Sequence, residues 1–531
     1  MRSSFLPPFW LRPLVIMVLI IGIFFRFANI DKKVFWHDEA YTALHISGYR
    51  ENLAKIWTGS VIDLPTLQKF QKVNSDKNVV DTVISLATID PHHPPFYYVL
   101  TRVWVQLFGD SVASLRMPSA IISLFVLPLA YWFCWELFQS SLIAWLAVTF
   151  FAVSPFQILY AQEAREYSLS IVMILLVNLT FLLAIRRNKI ISWAIYSLSL
   201  TASYYTSIFA IPVAIAHGVY TLIQNKFKLN QITINQFLAW LVSIILFAPW
   251  LRTLMKHKSL IYEVNAWTGT RPDSFKLLIK LWGFHISNNF VDIFRDDVIS
   301  QIFSGINVWR NLAFPGVYIF LFSYAAYILI KTSSQRVWIL LVSLFLIPVV
   351  LLMVPDIVIG GIRSAISRYF VQWYIVIPII FAYLIAHGIS QPQRIKQRFW
   401  QGAFVVMISL SIISCVISSQ ADFWWNKSGL GLNTLRSTKV INQATKPLII
   451  TDLKGSNYGD MLALSHRVNP QTKFQFISES DLSTIPPGFS NIFLYNPSTA
   501  LIDKFQVKYS AEAIKTLEGT ILLELKPPSN Y

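Results

Sequence analysis

The 531 residues are 55% hydrophobic and 15% aromatic, and only 13% are charged; a soluble chain carries about a quarter charged residues. That excludes a soluble globular enzyme and indicates a polytopic α-helical membrane protein. The formal net charge of +17 then belongs to loops beside anionic membrane lipids. No interleaved basic and aromatic groove accompanies it, so nucleic acid is not an expected partner. Cys134 and Cys415 lie inside apolar runs and supply neither a disulfide nor a metal framework.

The N-terminus carries Arg2 and Arg12 before a long apolar segment, and no small-residue cleavage pattern follows. It is therefore expected to be a retained first span. Apolar runs fall at about 12–30, 114–136, 141–160, 168–185, 190–204, 206–224, 232–251, 312–330, 336–354, 370–388 and 400–419, judged against the ~20 residues needed to cross a bilayer. The boundary between the fifth and sixth is expected near Tyr204-Tyr205. A further stretch, Phe96 to Phe108, is too short to cross. Charge decides its placement. Arg186-Arg187-Asn188-Lys189, Lys226 with Lys228, Lys331 with Arg336, and Arg394 through Arg398 all fall on the cytoplasmic side if the N-terminus is inside and 96–108 only lies in the outer interface.

About eleven spans follow, with the C-terminus outside. Residues 1–419 form the transmembrane domain, and residues 31–113 and 252–311 are its large external segments. The tail, 420–531, alternates β-rich runs such as Leu448 to Thr451, Phe474 to Ile477 and Asn491 to Tyr495 with a helical pattern from Tyr458 to Arg467. It is expected to be a small α/β domain outside the cytoplasm. Its Lys454-Gly455-Ser456 lacks the upstream glycine of a phosphate loop and is assigned no nucleotide.

Four polar segments then gather on the external side. Trp36-His37-Asp38-Glu39-Ala40 directly follows the first span, and ionisable groups at a membrane surface cost free energy unless paired or used. Both acids could simply open a helix, where a carboxylate meets backbone N–H groups and the positive end of the dipole. Asp90 to Tyr98 presents His92 and His93 ahead of two prolines. These imidazoles could bind phosphate or metal, or form an interfacial turn anchored by Tyr97 and Tyr98. Gln162-Glu163-Ala164-Arg165-Glu166-Tyr167 offers a guanidinium fork suited to phosphate, or a snorkelling anchor paired with its neighbouring acids. Arg363 and Arg368, followed by Tyr369, lie outside against the positive-inside trend, and such local exceptions tend to mark function.

A carboxylate, imidazoles and arginines on one membrane face suit attack by a hydroxyl or amine on a lipid-phosphate-activated group. The carboxylate takes the acceptor's proton and the cations hold the departing phosphate. Asp38, Glu39, His92 and His93 also offer ligand atoms to a divalent metal ion, and no other cofactor is called for.

An Asp-Glu pair after the first span followed by His-Pro-Pro-Phe-Tyr resembles the membrane-embedded GT-C glycosyltransferases. The bacterial branch related to protein O-mannosyltransferases and the lipid A aminoarabinose transferase is the most similar. Arg116-Met117-Pro118-Ser119, Ser154-Pro155-Phe156 with Gln162 to Tyr167, and Ser367-Arg368-Tyr369 extend the likeness, which is best over residues 10–225. It implies inverting transfer from a polyprenyl-phosphate sugar to a cell-envelope acceptor (glycan, lipid or protein) at the outer face of a bacterial cytoplasmic membrane. By the same likeness Asp38 is the catalytic base and Glu39 its neighbour in the acceptor site. His92, His93, Arg165, Tyr167, Arg363, Arg368 and Tyr369 would handle the donor phosphate, with His37, Gln162 and Glu163 in support. Aminoarabinose transferases carry an acid-lysine pair where this chain has His92-His93, a departure that speaks against that sugar and that acceptor. The competing reading is a transporter or flippase for lipid-linked substrates, although transporters usually place ionisable residues near the midplane. An assembly protein binding envelope partners through its tail would leave the polar segments without a role.

Overall fold

Every apolar run becomes a helix or a helix pair in the computed structural model, which describes residues 6–49, 59–270, 275–293, 314–371, 373–425, 430–452, 457–477, 487–506, 510–517 and 520–526. Among the described residues, seven helices are long and apolar enough to cross a membrane: Phe9–Phe27, Val112–Phe138, Tyr167–Arg187, Gln231–Lys256, Pro315–Thr332, Gln335–Val358 and Arg394–Gln420. Ser141–Val153 and Pro155–Ala161, bent by 56° at their junction, make an eighth if taken as one span. The three remaining runs form shorter helices, Ile190–Thr206, Ile208–Gln224 and Trp373–Ile389. Ser207 separates the first two, its hydroxyl accepting the Phe209 N–H, so that boundary falls just after the expected Tyr204-Tyr205. Phe96–Phe108 is a helix of 13 residues, about 20 Å long against a hydrocarbon thickness of roughly 30 Å.

The chain divides into two compact units. One holds Met1–Ala28, Asp90–Tyr97 and Arg116–Gln420; the other holds Asn29–Ile89, Tyr98–Leu115 and Ala421–Tyr531.

In the first unit the broken span sets the local architecture. Ser154 caps the helix that begins at Pro155 by accepting the Gln157 N–H, and proline suits a first helical position because it has no N–H to leave unpaired. The cost falls on the carbonyls that end the preceding helix, which have no water to turn to at membrane depth. Arg26, fully buried, meets that need: its guanidinium donates to the carbonyls of Ala152 (2.6 Å), Phe151 (3.1 Å) and Gly22 (2.7 Å), and to the Ser123 hydroxyl (3.1 Å). Cys415 approaches the Val153 carbonyl at 3.3 Å. Gly22 permits the close crossing, since a Cβ there would lie 2.3 Å from the Ala152 oxygen. Arg26→Met should therefore lower stability on the order of 3 kcal/mol, because several buried acceptors lose their donors together. Thermal unfolding in detergent measures this, and a midpoint unchanged from wild type would refute the capping role.

A second buried chain joins neighbouring helices. Trp240 donates to the Tyr196 hydroxyl (3.1 Å), Tyr196 pairs with His217 Nδ1 (3.0 Å), and His217 Nε2 pairs with Asn178 Oδ1 (3.1 Å). The amide oxygen can only accept, so Nε2 carries the proton and His217 is satisfied while neutral.

The second unit is built on one mixed sheet. β1 (Val61–Asp63), β2 (Pro447–Asp452), β3 (Lys473–Ile477), β4 (Asn491–Tyr495), β5 (Ser510–Leu517) and β6 (Thr520–Lys526) run in the order β1-β3-β2-β4-β6-β5. β2 pairs in parallel with β3 and β4, and the remaining pairs are antiparallel. β2 is buried along its whole length, as a central strand covered on both faces should be. Leu448, Ile450, Leu494, Leu501, Phe505 and Leu523 share its core. The three β-rich runs of the tail become β2, β3 and β4, and the helical pattern becomes Asn457–Leu464. The sheet also recruits β1 from the segment after the first span, paired with β3 through Val61 and Gln475. Lys454-Gly455-Ser456 and residues 294–311 of the second external segment lie outside the described residues.

Candidate functional site

In the first unit, one short stretch after the prolines and one loop after the broken span meet. Asp90, Pro91, His92 and His93 form a tight turn closed by the His93 N–H on the Asp90 carbonyl (3.1 Å) and held by Trp250, which donates to the Pro91 carbonyl (3.2 Å). Opposite lies 162–167. Gln162 donates to the carbonyls of Phe25 and Ala28 at the end of the first span (2.8 and 2.7 Å). The Ser119 hydroxyl donates to the Arg165 carbonyl (3.1 Å) and pairs with Tyr97 (2.9 Å). Thus Arg116-Met117-Pro118-Ser119 and the Tyr97 that follows the prolines both serve to fix the arginine loop.

The side chains close into a charge-relay-like chain. His93 Nδ1 meets Glu166 Oε1 at 3.0 Å, Arg165 Nη2 meets His93 Nε2 at 2.8 Å, and Arg165 Nε lies 3.4 Å from Glu166 Oε2. A carboxylate cannot donate and a guanidinium cannot accept, so the partners fix the tautomer: Nδ1 carries the proton and Nε2 accepts. His93 is therefore neutral, and burial, Arg165 and His92 together hold its pKa below the ordinary value. Glu166 behaves oppositely: burial would raise its pKa, but Arg165 and His93 hold it far below the usual carboxylate range. The ring of His92 packs against that of His93 with centroids 4.2 Å apart, and His92 Nδ1 sits 2.7 Å from Asp90 Oδ1. Burial disfavours its charge, yet Asp90 outweighs burial and raises the pKa.

The sign of that shift yields a pH dependence. A histidine whose folded pKa is raised contributes stability that is complete below its unfolded value, 6.5, and lost as pH rises through the folded value. Thermal midpoints between pH 6 and 9 should therefore fall less steeply in His92→Gln than in wild type; parallel curves would refute the charged assignment.

Asp90, His92 and His93 each offer a ligand atom, all within 4.8 Å of one another. Yet both nitrogens of His93 are engaged, by Arg165 and Glu166, and a guanidinium borders the cluster. This arrangement does not fit a metal cation. Asp90 is the acid that gathers with the two histidines in this group.

In the second unit, Trp36 is extended and the helix His37–Ser47 starts directly after it. The two acids divide here. Glu39 is fully buried and its carboxylate accepts the Trp36 N–H at 3.4 Å, half of a capping box. Asp38, next to it, is only partly buried. His37 Nδ1 pairs with Asp460 Oδ1 at 2.9 Å, so a carboxylate of the tail fixes the tautomer of the residue beside Asp38. Gly459 makes this approach tolerable: a Cβ there would lie 2.5 Å from the Tyr41 ring and 2.6 Å from that of His37. Gln68 and Gln71 add bonds to Ser465 (2.7 and 3.1 Å), and His466 pairs with Gln71 (3.0 Å).

In the fourth segment each arginine has a near neighbour. Arg363 forms an ion pair with buried Asp356 at 2.9 Å, and the same carboxylate accepts the Ser364 N–H at 2.6 Å. His285 Nε2 donates to the Ser364 carbonyl (2.9 Å), and the Tyr374 hydroxyl donates to Nδ1 of the same ring (3.1 Å). Arg363 is thereby tied into its own turn. Arg368 lies over the Tyr369 ring at 5.8 Å, and Tyr369 stacks on Phe209 at 4.4 Å. Of the other expected residues, Glu163 is fully buried, and Tyr167 lies under the Arg165 guanidinium at 6.0 Å.

The sequence marks Glu166 only as a neighbouring acid for Arg165 and gives Asp90, Asp356, Asp460 and Arg26 no role. Asp90 and Glu166 carried a local signal, being acids within two residues of the groups they pair with. Asp460 carried none, because its partner, His37, is brought to it by tertiary packing.

Comparisons with known proteins bear on this geometry. The model of the family described as dolichyl-phosphate-mannose-protein mannosyltransferase matches residues 92–252, a stretch that opens on His92 and includes Arg165. No curated protein sequence matches. Among solved structures, ArnT from Cupriavidus metallidurans bound to undecaprenyl phosphate is similar at a TM-score of 0.50 and 12% identity, over 96% of this chain and 98% of that one. Its apo state gives 0.51 and 11%, over 97% and 98%. The archaeal oligosaccharyltransferase AglB from Archaeoglobus fulgidus, in complex with an inhibitory peptide and a dolichol-phosphate, gives 0.50 and 13%, over 98% of this chain and 74% of that one. The chain has the GT-C fold these proteins share: a multi-pass helical membrane protein with a small C-terminal sheet region.

Proposed function

We propose that this protein is an integral membrane glycosyltransferase that moves a sugar from a polyprenyl-phosphate-linked donor to a cell-envelope acceptor, with inversion. It works at the external face of a bacterial cytoplasmic membrane, where the tail domain also resides. The observation that carries the proposal is the Asp90–His92–His93–Arg165–Glu166 cluster: a buried guanidinium and two imidazoles held by carboxylates at the head of a span. A pre-oriented cation stabilises charge that develops on a departing phosphate. The acceptor oxygen forms its bond to the anomeric carbon as the carbon–phosphate oxygen bond breaks; the acceptor's proton passes to Asp38, and the phosphate leaves on its lipid. The match of the mannosyltransferase family model and the fold shared with structures holding undecaprenyl phosphate and dolichol-phosphate support the same chemistry. The ionisable group buried inside the first span, Arg26, is occupied in capping carbonyls, which favours surface chemistry over a conduction path.

The test is direct. Purified protein in liposomes, given radiolabelled polyprenyl-phosphate sugars and an envelope extract, should move label from the lipid fraction to an acceptor. Lipid-linked label that merely changes leaflets, with no transfer, would replace this proposal with a flippase.

A further inference from the structure

The clearest cavity in the first unit is not at the cluster described above. It has a volume of about 550 Å³ and is lined by Glu136, Arg186, Ser334, Arg336 and Tyr383, with Phe138 and Val337 among its apolar walls. The helix Tyr167–Arg187 connects the two places: Glu166 precedes its first residue and Arg186 lies in its last turn. Twenty-one residues rise about 30 Å, the thickness of a bilayer core. The cavity therefore opens at the face opposite the His93–Arg165 cluster.

Its charges are built for an anion. Arg186 Nη1 holds Glu136 Oε2 at 2.8 Å, and Arg336 lies close enough to act on the same carboxylate. Within the cavity lining, two guanidiniums against one carboxylate leave one net positive charge, and Arg187, outside the lining, adds to it. The first turn of the helix Gln335–Pro348, at Ser334 to Arg336, adds the positive end of a helix dipole. Glu136 itself is only 5% exposed, and its Oε1 is buried beside the cavity with no hydrogen-bond partner among the described residues. An occupant that satisfies both features carries a single negative charge and a hydroxyl donor.

We propose that this cavity seats the headgroup of an anionic phospholipid of the leaflet opposite the transfer site, a phosphodiester bearing a polyol such as glycerol. The phosphodiester neutralises the Arg186–Arg336 pair, a headgroup hydroxyl supplies the donor Glu136 Oε1 lacks, and Phe138 and Val337 meet the glycerol backbone. A zwitterionic headgroup leaves the net charge uncompensated. The ends of three spans, carrying Glu136, Arg186 and Arg336, are thereby bridged by one lipid.

Native mass spectrometry of the full chain, released from nanodiscs of mixed phosphatidylglycerol and phosphatidylcholine, tests this. Wild type should retain phosphatidylglycerol over phosphatidylcholine by about tenfold, equivalent to ~1.4 kcal/mol. Arg336→Gln, at an exposed side chain, should remove the preference. Glycerophosphoglycerol added at millimolar concentration should not displace the lipid; displacement would mean a site for a soluble phosphodiester and would overturn the proposal. Equal retention of both lipids by wild type, or an unchanged preference in Arg336→Gln, would also overturn it. None of these outcomes depends on sugar transfer.

Discussion

Asp38→Asn is expected to reduce sugar transfer by about two to four orders of magnitude, the usual contribution of a positioned general base, while the thermal midpoint stays close to wild type. The substitution keeps the size of the side chain and its ability to accept a hydrogen bond, and removes only the basicity. Its neighbour is expected to behave differently. Glu39 is fully buried and bonds the Trp36 N–H at the head of the same helix, a bond that glutamine can replace through its amide oxygen. Glu39→Gln should cost no more than about 1 kcal/mol of stability, the net worth of a typical hydrogen bond, and should leave most of the transfer rate. Initial rates from a defined polyprenyl-phosphate sugar, with thermal unfolding of both variants, separate the two residues. Full turnover by Asp38→Asn would remove Asp38 as the base, and equal loss from both variants would mean that the pair acts as a unit.

Asp460 and Gly459 place a third control on the same helix. His37 is held by Asp460 at 2.9 Å, and a side chain at position 459 would push on both His37 and Tyr41. The tail thus packs against the helix that carries Asp38 within one unit. That link lay beyond the reach of the sequence. Residues 37 and 460 are more than four hundred positions apart, and nothing in Asn457–Leu464 distinguishes its aspartate from an ordinary first-turn acid. β1 escaped for a similar reason: Val61–Asp63 is three residues long, and its pairing with β3 comes from tertiary placement, not from a local pattern.

The elements that were legible share a strong local cause. Apolar runs near the length of a bilayer predicted the helices, and the alternating runs of the tail predicted β2 to β4, because hydrophobic period and length act within one segment. Ser154-Pro155 stands within a single apolar run in the sequence, and the 56° bend there emerges only in the fold. A bend leaves carbonyls behind, and only packing shows that Arg26, from a different span, satisfies them. The arginine segments divide along the same line. Arg165 was chosen for its fork, and packing adds two imidazoles and two carboxylates to it. Arg363 stands out only by its departure from the positive-inside trend, and Asp356, seven positions earlier, engages it within its own turn.

Arg165 is where stability and chemistry meet, and its removal is expected to have the second large effect. Arg165→Met leaves Glu166 buried with its principal cation gone, a loss of about 3–5 kcal/mol for breaking a buried pair from one side. The double variant Arg165→Met with Glu166→Gln should recover most of that loss, since no buried charge is then left unpaired. The deficit of the single variant should also depend on pH. In wild type Glu166 is ionised far below its ordinary value of 4.5, so its contribution is present above that value and lost as pH falls through the depressed one. Without Arg165, burial raises the same pKa, and acid relieves the strain by protonating the carboxylate. The gap between Arg165→Met and wild type should therefore narrow as pH drops from 7 toward 4.5. Arg165→Lys discriminates the chemical role: it keeps the charge, and most of the stability, but loses the planar fork, so transfer should fall about a hundredfold, near the loss expected for one donor to a developing oxyanion. A double variant no more stable than the single would contradict the buried pair, and full activity in Arg165→Lys would reduce Arg165 to a structural cation.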